Sequence, residues 1–260
     1  MHTPRQPPIS PQSADQYDSP GTDYVTYWNG RGYEHAAEVL AIRRLIANRR
    51  FSHAVDVGGG YGRLSVLLQE YAETVTLLDP SRKQLDAAKA LLGGLPRIQT
   101  RLMDAGLIQL PRASVDLVTM VRVMHHLPDP QPTLRAISRV LRPGGTALIE
   151  VANLAHAVNR LRYLVKGQKL PLCPVDRRTV IRRNEHGIPF VNHHPSTVRQ
   201  QFTNAGLHVQ RKLSVSNMRH HRLKQALPQR FLLSIEHALQ IPLAPLNFGP
   251  SIFYLLRKDP

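Results

Sequence analysis

At 260 residues the chain is long enough to bury a sizeable core, and its 42% hydrophobic content is that of a globular protein. No apolar run reaches the roughly 18 residues of a membrane-spanning helix, and the single cysteine, Cys173, excludes an intrachain disulfide and fits a reducing compartment. The net charge of +16 is uneven: residues 151–260 carry 17 Lys and Arg against 4 Asp and Glu, or +13 of the total, which points to anionic partners or an anionic surface.

Residues 1–16 (MHTPRQPPISPQSADQ) lack an apolar signal core and read as a disordered lead, so the protein is expected in the cytoplasm, with at most peripheral membrane contact. Residues 17–50 form an aromatic and helical cap: Tyr24, Tyr27, Trp28 and Tyr33 precede a predicted helix over Glu34–Asn48, whose Ala37, Leu40, Ala41, Leu45 and Ile46 recur near helical spacing. From residue 51 the pattern is that of one alternating α/β domain. An apolar strand, Ala54 to Val57, empties into Gly58-Gly59-Gly60-Tyr61-Gly62, and a helix is predicted over Arg63–Glu70. A dinucleotide fingerprint would need a glycine where Arg63 stands, and the spacing present is Asp56-x-Gly58-x-Gly60-x-Gly62.

The second strand, Val75 to Leu78, ends in Asp79, and Pro80-Ser81 then open a helix over Arg82–Leu92. A carboxylate at that point can accept both hydroxyls of an adenosine ribose. Leu102 to Ala105 is a short segment carrying Asp104, which could accept from an adenine amino group. Ser114 to Val121 is a fully buried strand, and His125 and His126 follow at its carboxyl edge. An imidazole there can take a proton near neutral pH, or the pair can anchor the loop before Leu127-Pro128-Asp129 by backbone hydrogen bonds. The scattered histidines lack metal-ligand spacing, and no metal is expected.

Asn153 to Lys166 places Leu154, Val158, Leu161 and Val165 at helical spacing with Arg160, Arg162 and Lys166 beside them. The segment is a basic amphipathic helix or a packed surface helix. A helix over Pro195–Ala205, a strand over Leu207–Val215 and a closing strand over Ser251–Arg257 complete the domain. Segments 152–194 and 216–250 exceed ordinary connections and are expected to build a lid or substrate site.

The motifs VDVGGGYG, LLDPS and SVDLVTMVRVMHHLPDPQPTLRAISRVLRPGGTALIEVAN resemble class I S-adenosylmethionine-dependent methyltransferases over residues 51–151, and are similar to the branch acting on small molecules and quinone lipids. The resemblance implies a Rossmann-like, doubly wound, seven-stranded sheet, mostly parallel with the last strand antiparallel and helices on both faces. It implies that S-adenosylmethionine is the cofactor, that Asp56 orients the glycine loop, and that Gly58, Gly60 and Gly62 approach the methionine part. It further implies that Asp79 binds the ribose and that Asp104 with the Ala105 backbone faces the adenine. In such proteins the preceding segment folds over the cofactor, making Tyr24, Trp28 and Tyr33 lid candidates against the alternative of an aromatic cap on the sheet edge. A small or lipid-like acceptor is expected, with nucleic acid less so: Met120 to Met124 lacks the Asn/Asp-Pro-Pro-aromatic clamp of base amino-group methylation, and Cys173 precedes Pro174 far from the fourth strand. A cofactor-binding protein without turnover is the third reading.

Overall fold

The structure, a computed structural model, describes residues 16–18, 24–179 and 189–260; all but the end of the expected disordered lead, and the middle of the first long insertion, lie outside them. The strands are β1 (Phe51–Val57), β2 (Ala72–Asp79), β3 (Ile98–Leu102), β4 (Val115–Met120), β5 (Leu141–Ala152), β6 (Val175–Asp176), β7 (Val191–Asn192), β8 (Leu207–Val215) and β9 (Ser251–Lys258). Among the described residues seven of these form one sheet in the order β3-β2-β1-β4-β5-β9-β8, and β6 with β7 forms a separate two-stranded ribbon. The pairs among β1 to β5 are parallel, whereas β9 runs antiparallel to both its neighbours. The order reverses between β1 and β4, and at such a switch point the carboxyl ends of the strands open a crevice for a ligand.

The helices are α1 (Tyr24–Tyr27), α2 (Gly32–Leu45), α3 (Ser65–Leu68), α4 (Arg82–Leu92), α5 (Gln131–Val140), α6 (Ala157–Val165), α7 (Pro195–Asn204), α8 (His221–Ala226) and α9 (Gln229–Leu239). Both faces of the sheet are covered. Leu134, Ile137 and Val140 of α5 join Val198 and Phe202 of α7 against Val118, Ile149 and Tyr254, while Ile42, Leu45, Leu68 and Leu232 pack on Ala54, Leu117 and Phe253. Each fully buried aliphatic of this kind contributes about 1.5–3 kcal/mol relative to exposure.

Local chemistry sets the element ends. Ser81 caps α4 by accepting the Gln84 amide at 3.1 Å, which fixes where α4 begins after Asp79. Asp116 accepts the amides of Ser52 and His53 at 3.1 and 2.9 Å and pairs with Arg142 at 2.7 Å, so it ties the amino edges of β1, β4 and β5 together. The predicted helix over Arg63–Glu70 shortens to Ser65–Leu68, because the loop, with Gly62 at φ 89°, consumes residues before it and Phe51 donates to the Tyr71 carbonyl after it. The Leu141-to-Gly145 turn is drawn out as the irregular start of β5, with a register shift against β4 and Gly144 at φ 70°.

The cap is joined to the domain by a buried ion triplet. Glu38 of α2, fully buried, accepts Nη2 of Arg63 and Nε of Arg122, each at 2.6 Å, and the Trp28 ring lies 3.7 Å from the Arg63 guanidinium carbon and 5.6 Å from that of Arg122. Burial alone would raise the Glu38 pKa, but the two guanidiniums outweigh it and hold the group below the usual range. Tyr33 donates to buried Glu236 of α9 at 2.7 Å, and Glu236 also accepts the Ser216 and Asn217 amides.

Candidate cofactor and methyl-transfer site

At the carboxyl edge, where β1, β2 and β4 end, lies a cavity of 190 Å³ lined by Tyr17, Gly58, Gly60, Asp79, Pro80, Gln84, Asp104, Ala105, Arg122, Val123, His126 and Leu127. The glycine loop is held from below. Asp56, buried, accepts the Ser65 hydroxyl at 2.7 Å and the Thr119 hydroxyl at 2.8 Å, and burial raises its pKa despite these bonds. Asp79 accepts the Gly60 amide through one oxygen and the Ser81 amide through the other, both at 2.9 Å. Gly58 has φ 66°, and a Cβ there would sit 2.3 Å from Cγ2 of Val123, so only glycine fits between the loop and the end of β4.

The structure brings Gly58, Gly60, Asp79, Asp104, Ala105 and His126 to one wall and leaves three expected site residues off it. Asp56 lies beneath the loop. Gly62 faces Leu92 and Leu77, whose side chains a Cβ would meet at 2.6 and 3.3 Å, and so serves helix-to-sheet packing. His125 is turned inward, 4.0 Å from the His126 ring and 4.7 Å from that of Phe190. Asp104 is exposed and uses one oxygen on the Gly106 amide at 2.7 Å. The lid aromatics also differ from expectation: Trp28 is stacked on Arg63 and Tyr33 is buried against α9, neither lining the cavity, and the Tyr24 side chain lies outside the described residues. Tyr17 takes that place, fixed by its neighbour Asp18, which accepts the Ser81 hydroxyl at 2.6 Å and the Lys83 amide at 3.0 Å.

His126 has a defined tautomer. Its Nδ1 is 2.8 Å from the Pro189 carbonyl, which can only accept, so Nδ1 carries a proton, and in the neutral form of the ring Nε2, 2.9 Å from the Tyr17 hydroxyl, is the acceptor. His193 donates to the Met124 carbonyl at 3.0 Å, and His194 caps α7. For His125, burial and the nearby His126, Arg122 and His193 charges hold the pKa well below 6.5. Its folded-state pKa is depressed, so its contribution to stability is full above the unfolded value of about 6.5 and is lost as pH falls below it. His125→Phe is expected to melt near the wild type at pH 7.5 and to lose less of its melting temperature between pH 7.5 and 5. Parallel melting curves of the two proteins across that range would show that the ring is not held neutral by the fold.

The cavity suits an adenosine ligand on its own terms. Gln84, in the first turn of α4, lines it, and its Oε1 is buried without a hydrogen-bond partner, an acceptor that a ribose hydroxyl or adenine amino group would satisfy. Neither Gln84 nor Tyr17 was singled out by motif reading, although Gln84 falls three residues after the Ser81 cap, where a helix's first turn faces its strand's end. Residues 55–149 match the methyltransferase domain family. The chain carries a class I S-adenosylmethionine-dependent methyltransferase domain. The chain is 35% identical over 102 residues to a ubiquinone biosynthesis O-methyltransferase of Paracidovorax citrulli, a match covering 38% of the chain and 43% of that relative. With the namesake enzyme of Coxiella burnetii it shares 25% identity over 174 residues, covering 66% and 69%. The match therefore spans less than half of the first relative's length. In fold, the methyltransferase domain and its additions resemble an S-adenosylmethionine-dependent methyltransferase from Mesorhizobium loti (TM-score 0.62, 22% identity, 87% of this chain and 100% of that one). They also resemble one from Thermotoga maritima (TM-score 0.62, 16% identity, 91% and 94%).

Proposed function

We propose that this protein transfers the methyl group of S-adenosylmethionine to a small, lipid-like acceptor reached at an anionic membrane surface. The cofactor when bound supplies an electrophilic sulfonium methyl and a neutral leaving group. The chain's own contribution is alignment and exclusion of water. Asp79 and Gln84 would hold the ribose side and Asp104 with Ala105 the adenine. The Gly58 and Gly60 backbone would meet the methionine part, and Val123 and Leu127 would wall off solvent. His126, which lines the cavity, would receive an acceptor's proton at Nε2 once the Tyr17 hydroxyl moves aside.

The observation that supports a lipid-like acceptor is α6. Its apolar side faces outward: Val158, Leu161, Leu164 and Val165 are 62, 61, 75 and 78% exposed, while the polar Asn159 is buried and donates to the Leu154 carbonyl at 2.7 Å. This exposure favours the amphipathic reading over a packed helix, and Leu154, which is buried, precedes the helix rather than joining its face. Exposed Arg160, Arg162, Lys166 and Lys169 flank these aliphatics, and α6 starts five residues after β5 ends at the site's edge. Basic groups held at an anionic bilayer contribute about 1 kcal/mol each, so a few of them with this apolar face suffice for reversible binding. No helix among the described residues is long and apolar enough to cross a membrane. The relatives named for ubiquinone biosynthesis favour the same acceptor class.

Incubation with methyl-labelled S-adenosylmethionine and fractionated cell extract tests the reading: label is expected in the lipid or small-molecule fraction, and label confined to RNA overturns it. Leu164→Glu with Val165→Glu is expected to weaken flotation with anionic vesicles about tenfold or more while leaving the melting temperature unchanged, because both side chains are exposed. With the acceptor so identified, His126→Ala is expected to lower turnover about a hundred-fold with cofactor affinity little changed. Near-normal turnover would make His126 an anchor for the Pro189 segment alone.

A further inference from the structure

At the opposite, amino end of the sheet a depression of 400 Å³ is lined by Arg49, Arg50, Phe51, Gly144, Gln210 and Arg257. We propose that it is a binding site for a phosphate-type dianion, separate from the methyl-transfer cavity. β1 runs from one site to the other, and its seven residues at about 3.3 Å each put roughly 20 Å between them. A ligand here is therefore neither the cofactor nor the methyl acceptor.

Three features carry the assignment. The first is uncompensated charge. Arg49 donates to the Thr146 hydroxyl at 3.2 Å, and Arg50 donates to the Arg49 carbonyl at 3.0 Å with the Tyr71 ring 5.9 Å away, so both guanidiniums are held by neutral groups. Of the acids near this edge, Asp116 is engaged by Arg142, Asp259 by His208 at 2.9 Å and Glu70 by Arg43, and none of the described lining residues is acidic. The second is the close seat of Arg257: its Nη2 lies 3.3 Å from where a Cβ on Gly144 would be, so the guanidinium rests over that glycine's backbone. The third is Gln210. Val209 pairs with Leu256 and Arg211 with Leu255, leaving Gln210 bulged from the β8–β9 ladder, and such bulges re-aim a side chain. Here the bulge adds an amide donor to three guanidiniums. Planar guanidinium forks match the oxygens of a phosphate group bidentately, and three of them exceed what one carboxylate would neutralise.

Calorimetric titration with pyrophosphate and with inorganic phosphate, against sodium chloride at matched ionic strength, tests this. One-to-one binding is expected, weakened tenfold or more in Arg257→Gln and in Arg49→Gln and unchanged in Arg101→Gln, a change at an exposed arginine of β3. Unaltered S-adenosylmethionine binding serves as the check that the variants are folded. Vesicles containing phosphatidic acid form the second arm: Arg257-dependent flotation that pyrophosphate displaces assigns the site to a lipid headgroup, and binding of the free anions alone assigns it to a soluble phosphorylated ligand. Heats no larger than those of sodium chloride, or an equal loss in Arg101→Gln, overturn the proposal.

Discussion

Gly58→Val is expected to abolish S-adenosylmethionine binding, weakening it by more than about a hundred-fold, in a protein that keeps its secondary structure. The residue's φ of 66° costs an L side chain about 1–2 kcal/mol. The Cβ would also lie 2.3 Å from Val123 Cγ2, so either the loop or the wall of the cavity must move. Asp79→Ala is the companion change. Loss of charge-assisted bonds to a ribose removes about 1.5–3 kcal/mol, or ten- to a hundred-fold in affinity. Because Asp79 also holds the Gly60 and Ser81 amides, the upper end is expected. Calorimetry on both variants decides: unchanged affinity in each, with the fold intact, would remove the basis for the cofactor assignment.

The second large effect concerns stability. Glu38→Ala leaves Arg63 and Arg122 facing each other with side chains only 10 and 17% exposed, and removing one partner of such a buried set costs about 3–5 kcal/mol. For a domain of this size that corresponds to a fall in melting temperature on the order of 10 °C. Glu38→Gln, which keeps shape and part of the hydrogen bonding, should fall between the alanine variant and the wild type. A melting temperature within a degree of the wild type for Glu38→Ala would show that the triplet does not hold the cap to the domain.

The sheet was legible because buried strands announce themselves: β8 is predicted and found over Leu207–Val215, and α4 over Arg82–Leu92, where Ser81 supplies its own start signal. Asp79 and the glycine loop were legible for the same reason, since turn geometry and strand ends are local. What stayed hidden depends on contacts distant in sequence. Nothing near Tyr17 announces that it will meet His126, 109 positions away, or near Tyr33 that its hydroxyl belongs to Glu236, 203 positions away. Amphipathic spacing in α6 gave the stripe but not its direction, because periodicity is blind to whether a face meets protein or solvent. The fate of Arg122 was likewise unreadable. Its φ of 64° follows from a backbone amide held by buried Glu150 and a guanidinium held by Glu38.

The strand order has a consequence for how the molecule is made. β9, whose residues are synthesised after those of the other six strands of the sheet, is inserted between β5 and β8. Until it emerges, β8 has no ladder partner and β5 exposes an unpaired edge, while β1 to β4, which carry the glycine loop, Asp79 and the start of the His126 segment, can already pair in their final order. Synthesis thus orders the halves of the sheet, with the cofactor half able to form on the ribosome and the basic depression at the amino end incomplete until β9 brings Arg257 and seats β8 with Gln210 beside it.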